Sequence, residues 1–345
     1  MFKASLIFLA ATTTSSMLTA QNYTAERLTA DGMQVVRLTD AAAAIEVLIV
    51  PGFGNNAYSM KVKGQEVMWL AAKTLTDWRQ KPSLGGVPLL APWANRLDQD
   101  GFVFNGKRYA INDALGNIRR DGNRKPIHGM VTFATQWKVV DLNASDEASV
   151  TSRLEFFREP DWMAQFPFAH TIEMKYRLKG GALEVETTIE NLSAAAMPVA
   201  IGFHPYFQLT DAPRDEWQVS LPAREGVVLS NLLIPTGEKT PRDPAPMVPL
   251  KGSQLDNVYT GLERGKDGKS VFFVQGKSQK LAVEYGPNYP VAVVYAPPGR
   301  GFICFEPMAG VTNAINLAHE GKFPLQTVAP GAKWRESFWI RPSGF

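Results

Sequence analysis

The chain has 345 residues, of which 45% are hydrophobic and 20% charged, and its formal net charge is +3. These proportions are ordinary for a globular protein, and so small and dispersed a charge excludes the basic surface that nucleic-acid binding requires. The only cysteine, Cys304, excludes an internal disulfide. It lies in the apolar run 301–305, so we expect a small buried hydrophobic side chain rather than a nucleophile.

Residues 1–20 have the pattern of an export signal. Lys3 supplies a short positive end, residues 6–11 an apolar stretch and residues 18–20 a small-residue cleavage site. The apolar stretch is much shorter than the roughly 20 residues of a membrane span, although an uncleaved anchor is the alternative. We therefore expect a periplasmic or secreted protein with no stable membrane insertion after cleavage, and a single domain over residues 21–345.

Apolar and polar residues alternate along much of the chain, which is the pattern of β-strands. The strands expected before the first hairpin are 45–50, 58–62 and 67–70. The hairpin 102–109 follows, with Asn105 and Gly106 favouring a type I′ turn. Strands are then expected at 136–141 and 152–157. A second hairpin spans 171–189, with one buried and one solvent-facing side and a turn at 179–181. The last expected strands are 216–221, 271–275, 281–285, 291–296 and 301–305.

No segment shows a long 3.6-residue repeat, and the strand–helix alternation of a parallel sheet is absent. The pattern therefore predicts an all-β protein, a large antiparallel β-sandwich with two packed sheets. The proline-rich stretch 235–249 is interpreted as a long loop inside this one domain, because no composition change marks a linker.

The chain has four histidines, and none has the spacing of a metal site. His170 continues an alternating strand, so a structural role is expected, and His319 lies in a polar stretch that suggests a solvated loop. His128 and His204 differ because each lies at a turn-prone junction next to a glycine or proline. Each one alone is compatible with a structural role, so the case for function depends on their combination with other residues.

Four further side chains have the chemistry of a polar site. Glu306 ends the apolar run 301–305 and precedes a proline, so loss of hydration should raise its pKa towards the range of a general base; a rim carboxylate paired with an arginine is the alternative. Asn95, Arg96 and Asp256 follow or interrupt apolar stretches and can make directional hydrogen bonds to hydroxyl groups.

A histidine and a carboxylate held among apolar residues can move two protons on one small substrate. This combination predicts an acid–base enzyme. No nucleophile motif competes with it, because the chain has no Gly-x-Ser-x-Gly, no His-Glu-x-x-His and no phosphate-binding glycine loop before a helix.

Five motifs in order resemble the aldose 1-epimerase (mutarotase) family, and the resemblance covers most of the chain after residue 20. The motifs are Pro92-Trp93-Ala94-Asn95-Arg96-Leu97, Ile127-His128-Gly129, Gly202-Phe203-His204-Pro205-Tyr206-Phe207, Leu255-Asp256-Asn257-Val258-Tyr259 and Cys304-Phe305-Glu306-Pro307-Met308. The resemblance implies the large antiparallel β-sandwich of galactose mutarotase-like proteins.

By this resemblance, Glu306 matches the general base and His204 the general acid. Arg96, His128 and Asp256, with Asn95 beside Arg96, match positions that hold the sugar. The implied reaction interconverts the α and β anomers of a free aldose, such as glucose or galactose, and requires no metal or other cofactor. The implied partner is that small sugar alone, and the sequence does not indicate an oligomeric state.

The sequence departs from the family's pattern around His128. Met130 and Thr132 stand where the family often has glycines, and residues 117–125 form an enlarged loop before His128. These changes leave the substrate preference open. Three alternatives also remain: a non-catalytic carbohydrate-binding β-sandwich, a hexose-6-phosphate 1-epimerase, which needs a basic clamp, and a glycoside hydrolase, which needs two facing carboxylates.

Overall fold

The computed structural model describes residues 22–345, so the export-signal pattern at 1–20 lies outside the described residues. Within that range the chain forms 26 strands, three short α-helices and three 3-10 turns. The strands are β1 (Tyr23–Ala30), β2 (Met33–Asp40), β3 (Ile45–Val50), β4 (Asn56–Val62), β5 (Gln65–Glu66), β6 (Leu89–Leu90), β7 (Gly101–Phe104), β8 (Lys107–Ala110), β9 (Lys138–Asn143), β10 (Ala148–Glu155), β11 (His170–Lys179), β12 (Ala182–Asn191), β13 (Met197–Val199), β14 (Gly202–Phe203), β15 (Tyr206–Phe207), β16 (Gln218–Ser220), β17 (Ala223–Leu229), β18 (Pro235–Pro241), β19 (Val248–Pro249), β20 (Leu255–Leu262), β21 (Ser270–Gln275), β22 (Lys280–Tyr285), β23 (Val291–Ala296), β24 (Ile303–Met308), β25 (Gln326–Val328) and β26 (Lys333–Ser343). The helices are α1 (Leu75–Gln80), α2 (Pro160–Gln165) and α3 (Ala314–His319), and the 3-10 turns are Asp113–Leu115, Phe156–Arg158 and Arg214–Glu216.

Two large antiparallel sheets dominate the architecture. One has nine strands in the order β19-β16-β21-β22-β26-β12-β11-β10-β9. The other has eight, of which seven follow the order β18-β17-β20-β23-β24-β14-β6 and the eighth, β15, pairs with β24. A five-stranded sheet, β1 to β5, forms the amino-terminal part of the described chain. The all-β antiparallel fold predicted from the alternating pattern is therefore confirmed.

One continuous hydrophobic cluster lies between the two large sheets. Phe203 on the eight-stranded sheet packs against Phe338 on the nine-stranded sheet, with ring centroids 4.9 Å apart, and Phe305 lies 6.1 Å from Phe272 in the same way. All four aromatic residues are fully buried. Because this core fixes one face of β24, the residues that alternate with Phe305 must point to the other face.

Several sequence predictions are confirmed in detail. The hairpin of β11 and β12 pairs Thr171 with Glu190 and continues without a bulge to Lys179 and Ala182. In the β7–β8 hairpin, Asn105 and Gly106 both have positive φ, 49° and 73°, as the predicted type I′ turn requires. None of the three α-helices exceeds six residues, in agreement with the missing helical repeat.

Three local predictions are wrong. Residues 67–70 do not form a strand; the two-residue β5 precedes them, and only Met68 makes an isolated bridge. The stretch 235–249 is not a long loop, because β18 and β19 occupy its two ends despite the prolines. Prolines are compatible with these positions because β18 and β19 are edge strands of their sheets. His319 ends α3 rather than lying in a loop, although it is exposed as expected.

No helix within residues 22–345 has both the length and the apolar character needed to cross a membrane.

Candidate active site

Strand register places the predicted acid and base opposite each other. Gly202 pairs with Met308 and Tyr206 with Cys304, so His204, midway between β14 and β15, falls opposite Glu306 on β24. The two side chains meet at 3.2 Å between His204 Nε2 and Glu306 Oε1, and both are buried. The contact is thus a consequence of antiparallel pairing between the two sequence motifs.

The neighbouring strands add polar and aromatic groups on the same face. Asp256 on β20 pairs with Tyr295 on β23, and Tyr295 pairs with Cys304 on β24. Residues that pair directly in antiparallel strands point to the same side of a sheet. Because Cys304 and Glu306 are two residues apart, Asp256 and Tyr295 share the face that carries Glu306. One face of the eight-stranded sheet therefore forms the floor of the site.

Loops that pack over this floor carry the other predicted residues. Asn95 and His128 both have left-handed backbone conformations, with φ of 56° and 64°, which non-glycine residues adopt uncommonly. The His128 amide donates to the Asn95 carbonyl at 2.9 Å, and the Thr132 hydroxyl donates to the His128 carbonyl at 3.1 Å. These hydrogen bonds hold His128 with its ring 5.6 Å from that of His204 and perpendicular to it.

Arg96 is fixed from two sides. Its Nε donates to Asp121 Oδ2 at 2.6 Å, and its Nη1 donates to Asn95 Oδ1 at 3.0 Å. Asp121 also accepts from the amides of Asn123 and Lys125. Although burial alone would raise the pKa of Asp121, the bond from Arg96 and the two amides lower it below its ordinary value. Asp121 therefore stays ionised and orients Arg96 towards the site.

A cavity of about 230 Å³ contains all six residues named from the sequence. Its walls are formed by Asn95, Arg96, Ile127, His128, His204, Tyr206, Asp256, Tyr295 and Glu306. Sequence reasoning did not assign roles to Ile127, Tyr206 and Tyr295. Tyr206 stacks on His204 with ring centroids 4.7 Å apart, and this contact stabilises the position of the imidazole. Tyr206 and Ile127 lie inside motifs that were quoted, whereas Tyr295 lies in an almost wholly apolar strand that gives no such signal.

Burial drives the titratable groups of the cavity towards their neutral forms. It raises the pKa of Glu306 well above its ordinary value; Asp256 raises it further and Arg96 opposes this. Burial lowers the pKa of His204 to about 3, with a further lowering from Arg119, and it also lowers that of His128 well below the usual range. Asp256 shows a raised pKa, again through burial. Glu306 Oε2 is buried without a hydrogen-bond partner among residues 22–345, as expected of a group that awaits a ligand.

The remaining candidate residues lie elsewhere or are structural. His170 is buried, its Nδ1 lies 2.7 Å from the Phe168 carbonyl, and its ring stacks on Phe156 at 4.2 Å. Cys304 is fully buried as a free thiol, as expected, and burial raises its pKa well above the ordinary value. In the described part of the chain, no cluster of three or more histidine, cysteine or acidic residues could hold a metal ion.

Comparison with known families identifies the group to which these features belong. Residues 35–341 match the family described as Aldose 1-epimerase. The chain belongs to the aldose 1-epimerase family. Among curated proteins, this family member is 28% identical over 149 residues to the uncharacterized protein YihR of Escherichia coli K12. That match covers 43% of the present chain and 44% of YihR, so the aligned region spans less than half of either protein.

Solved structures share the fold of this aldose 1-epimerase family member over nearly its whole length. A galactose mutarotase-like protein from Clostridium acetobutylicum superposes with a TM-score of 0.83 and 20% identity, covering 94% of the present chain and 99% of its own. Slr1438 from Synechocystis superposes with a TM-score of 0.73 and 26% identity, covering 92% of the present chain and 98% of its own. Galactose 1-epimerase from Lactobacillus acidophilus superposes with a TM-score of 0.71 and 14% identity, covering 94% of the present chain and 99% of its own. The galactose mutarotase-like β-sandwich predicted from the motifs is therefore confirmed.

Proposed function

We propose that this protein is an aldose 1-epimerase that interconverts the α and β anomers of a free aldose by acid–base ring opening and reclosure. One observation carries the proposal: His204 Nε2 and Glu306 Oε1 meet at 3.2 Å inside the cavity that also holds Arg96, His128 and Asp256. A binding protein needs the polar cavity but has no use for a buried acid and base in contact.

The contact between these two groups suits the chemistry of an anomeric carbon. Mutarotation moves one proton at the anomeric hydroxyl and another at the ring oxygen, and both oxygens are bonded to the same carbon. A proton acceptor and a proton donor must therefore lie close to each other, within reach of both oxygens. Side chains on directly opposed positions of β24 and the β14–β15 segment satisfy this requirement.

The pair contains the correct number of protons for one turnover. In the sugar-free protein, burial favours a neutral His204 and a protonated Glu306 because of the directions of their pKa shifts. This neutral pair has the same proton count as a protonated His204 beside an ionised Glu306. Transfer of one proton across the 3.2 Å contact thus generates the acid and the base together. Sugar hydroxyls that donate to Glu306 Oε2 would stabilise the ionised form.

The reaction then follows from these two groups. Ionised Glu306 removes the proton from the anomeric hydroxyl, while protonated His204 donates a proton to the ring oxygen, and the bond between the anomeric carbon and the ring oxygen breaks. The open-chain aldehyde rotates about the adjacent carbon–carbon bond. The ring closes on the other face of the aldehyde as both proton transfers reverse. Arg96, Asn95, His128 and Asp256 supply hydrogen bonds to the sugar hydroxyls.

The activity is expected to depend on pH through the single proton shared by this pair. Below the lowered pKa of His204, about 3, a second proton enters and Glu306 cannot act as base. Above the raised pKa of Glu306, the shared proton is lost and His204 has none to donate. We expect kcat/KM for anomer exchange, measured by NMR with the spontaneous rate subtracted, to be bell-shaped with an acid limb well below pH 6.5. The two apparent pKa values describe the coupled pair. A profile without limbs, or an acid limb near pH 6.5, would contradict this assignment.

The cellular setting of the reaction is proposed from the sequence alone. The export-signal pattern of residues 1–20 supports a periplasmic or secreted enzyme. Its substrate there would be a free sugar or the reducing end of an oligosaccharide. Neutral hexoses such as glucose and galactose are the first substrates to test, because the cavity presents groups that recognise hydroxyls.

A further inference from the structure

A second cavity lies directly beside the candidate active site. Its volume is about 240 Å³. The two cavities share the segment 127–130 as a wall, because Ile127 and His128 line the first while Gly129 and Met130 line the second. The second cavity is also lined by Arg119, Asn117, Gln136, Phe133 and Trp162, among others.

Arg119 belongs to the enlarged loop 117–125, and its position is fixed by the backbone and by an aromatic ring. The Ile127 amide donates to the Arg119 carbonyl at 2.9 Å. The guanidinium lies 5.2 Å from the centre of the Phe133 ring, which is a cation–π contact. The side chain is thus held at the wall of the second cavity.

Within residues 22–345, the Arg119 side chain makes no hydrogen bond or ion pair with a protein group, and its Nη1 atom is buried. The contrast with its neighbour is clear: Arg120 pairs with Asp100 at 2.6 Å and with Asp113 at 2.7 Å. A buried guanidinium nitrogen without an acceptor is costly. Arg119 as a whole is partly exposed; burial lowers its pKa below the ordinary value, and Tyr206 opposes this shift.

The charges in and around the first cavity are distributed unequally. Asp256 raises the pKa of Glu306. Arg119, in contrast, lowers the pKa of both His128 and His204. Because Arg96 is already paired with Asp121, an anionic substituent would be attracted to the side of Arg119. A neutral hydroxyl group could accept a hydrogen bond from Arg119 but would leave its charge uncompensated.

We propose that Arg119 binds an anionic substituent of the aldose, so that the enzyme prefers acidic sugars over their neutral parents. This inference rests on the proposed function, because it names the substrate class of that same site. The shared chemistry is a group of anionic oxygens, a carboxylate or a phosphate, that accepts hydrogen bonds from the guanidinium. The side-chain amides of Asn117 and Gln136 line the same cavity, and each already donates one hydrogen bond to the protein, to the Asp161 carbonyl and to Glu159.

The test compares anomer exchange for neutral and acidic aldoses in the wild type and in Arg119→Gln. The neutral sugars are glucose and galactose, and the acidic ones are glucuronate, galacturonate and glucose 6-phosphate, which distinguish a carboxylate from a phosphate. A hydrogen bond to a charged group corresponds to roughly 10- to 100-fold in kcat/KM. We expect the wild type to prefer at least one acidic sugar by such a factor. Arg119→Gln should lose this preference, measured as the ratio of kcat/KM for the acidic and the neutral sugar, because any effect on His204 is common to both sugars and cancels in the ratio.

The matched control is Arg27→Gln, which removes an exposed arginine on β1, away from the candidate site. It should leave the acidic-to-neutral ratio unchanged. An equal loss for neutral and acidic sugars in Arg119→Gln would show that Arg119 only packs against Phe133 and would overturn the proposal. A wild-type preference for neutral mono- or oligosaccharides would also overturn it, and this outcome remains decisive even if Arg119→Gln does not fold.

Failure of the proposed function can be recognised separately. If the wild type accelerates no sugar, binding of galacturonate and galactose is compared by saturation-transfer NMR. Tighter binding of galacturonate that is lost in Arg119→Gln supports the role of Arg119 without catalysis. Equal binding of the two sugars contradicts it. Acceleration of neutral sugars with no preference for acidic ones overturns the inference and leaves the proposed function standing.

Discussion

Replacing Glu306 by glutamine is expected to reduce anomer exchange by about 10²- to 10⁴-fold, the contribution of one positioned proton-transfer group. Glutamine has nearly the shape of the protonated carboxyl group but cannot accept the anomeric proton. Sugar binding should persist, because Arg96, His128 and Asp256 remain in place. The measurement is the exchange rate by NMR or polarimetry, together with the sugar dissociation constant.

The same substitution should not harm folding. Glu306 is 1% exposed, and its Oε2 has no hydrogen-bond partner among the described residues, so removing an ionisable group there relieves a desolvation cost. We expect an unchanged or higher melting temperature. Glu173→Gln on β11, a partly exposed carboxylate in the nine-stranded sheet, is the matched control and should retain full activity. Unchanged turnover in Glu306→Gln would exclude Glu306 as the base.

Replacing Gly129 by alanine is expected to destabilise the fold and disrupt the site. Gly129 has a φ of 60°, and an added Cβ would lie 2.0 Å from the Ala91 carbonyl oxygen. Alanine in the left-handed region alone costs roughly 1–2 kcal/mol, and the clash with backbone adds to this because a backbone atom cannot rotate away. A loss of stability of more than about 2 kcal/mol should appear as a lower denaturant midpoint. Because His128 directly precedes Gly129, sugar binding should also weaken.

Gly116→Ala separates the two causes of this loss. Gly116 has almost the same backbone conformation, with a φ of 66°, but no atom lies within 4 Å of an added Cβ. Alanine there should cost only the conformational part and should leave activity intact. Equal losses in the two variants would show that the contact with Ala91 is unimportant for the site.

Alternation of apolar and polar residues was sufficient to predict much of the fold. In β11 and β12, each strand has one face in the core, so the pattern identifies both strands and their turn. The same method did not detect that Pro235–Pro241 is a strand, because proline and exposed polar residues hide the alternation of an edge strand. The alternation also could not identify which strands pair, because β24 pairs with β14 and β15, which lie about 100 residues earlier in the chain.

The candidate site was predictable as a set of residues but not as a geometry. All six residues named from the sequence line one cavity. The left-handed conformations of Asn95 and His128 could not be foreseen, because tertiary hydrogen bonds hold them. The enlarged loop 117–125 was visible in the sequence. That Asp121 fixes Arg96 and that Arg119 lacks a partner are facts of packing, which no local pattern encodes.

Arg96 and Arg119, which line the first and the second cavity, have different roles. Arg96 is held by Asp121 and Asn95 and so presents fixed donors to the sugar. Arg119, in the same loop as Asp121, lines the second cavity, and its buried Nη1 has no hydrogen-bond partner among the described residues. Residues 117–125, predicted from the sequence to be an enlarged loop, thus carry both the support for Arg96 and the arginine that we propose selects the substrate.

Whether the contact between His204 and Glu306 catalyses mutarotation is decided by following freshly dissolved α-aldoses by polarimetry or NMR. Purified protein beginning after residue 20 is added to α-D-glucose, α-D-galactose and an α-enriched uronic acid, and sugar binding is measured in parallel. We expect accelerated approach to the anomeric equilibrium for at least one sugar. Measurable binding without any acceleration would contradict it and would identify the protein as a carbohydrate-binding member of the family.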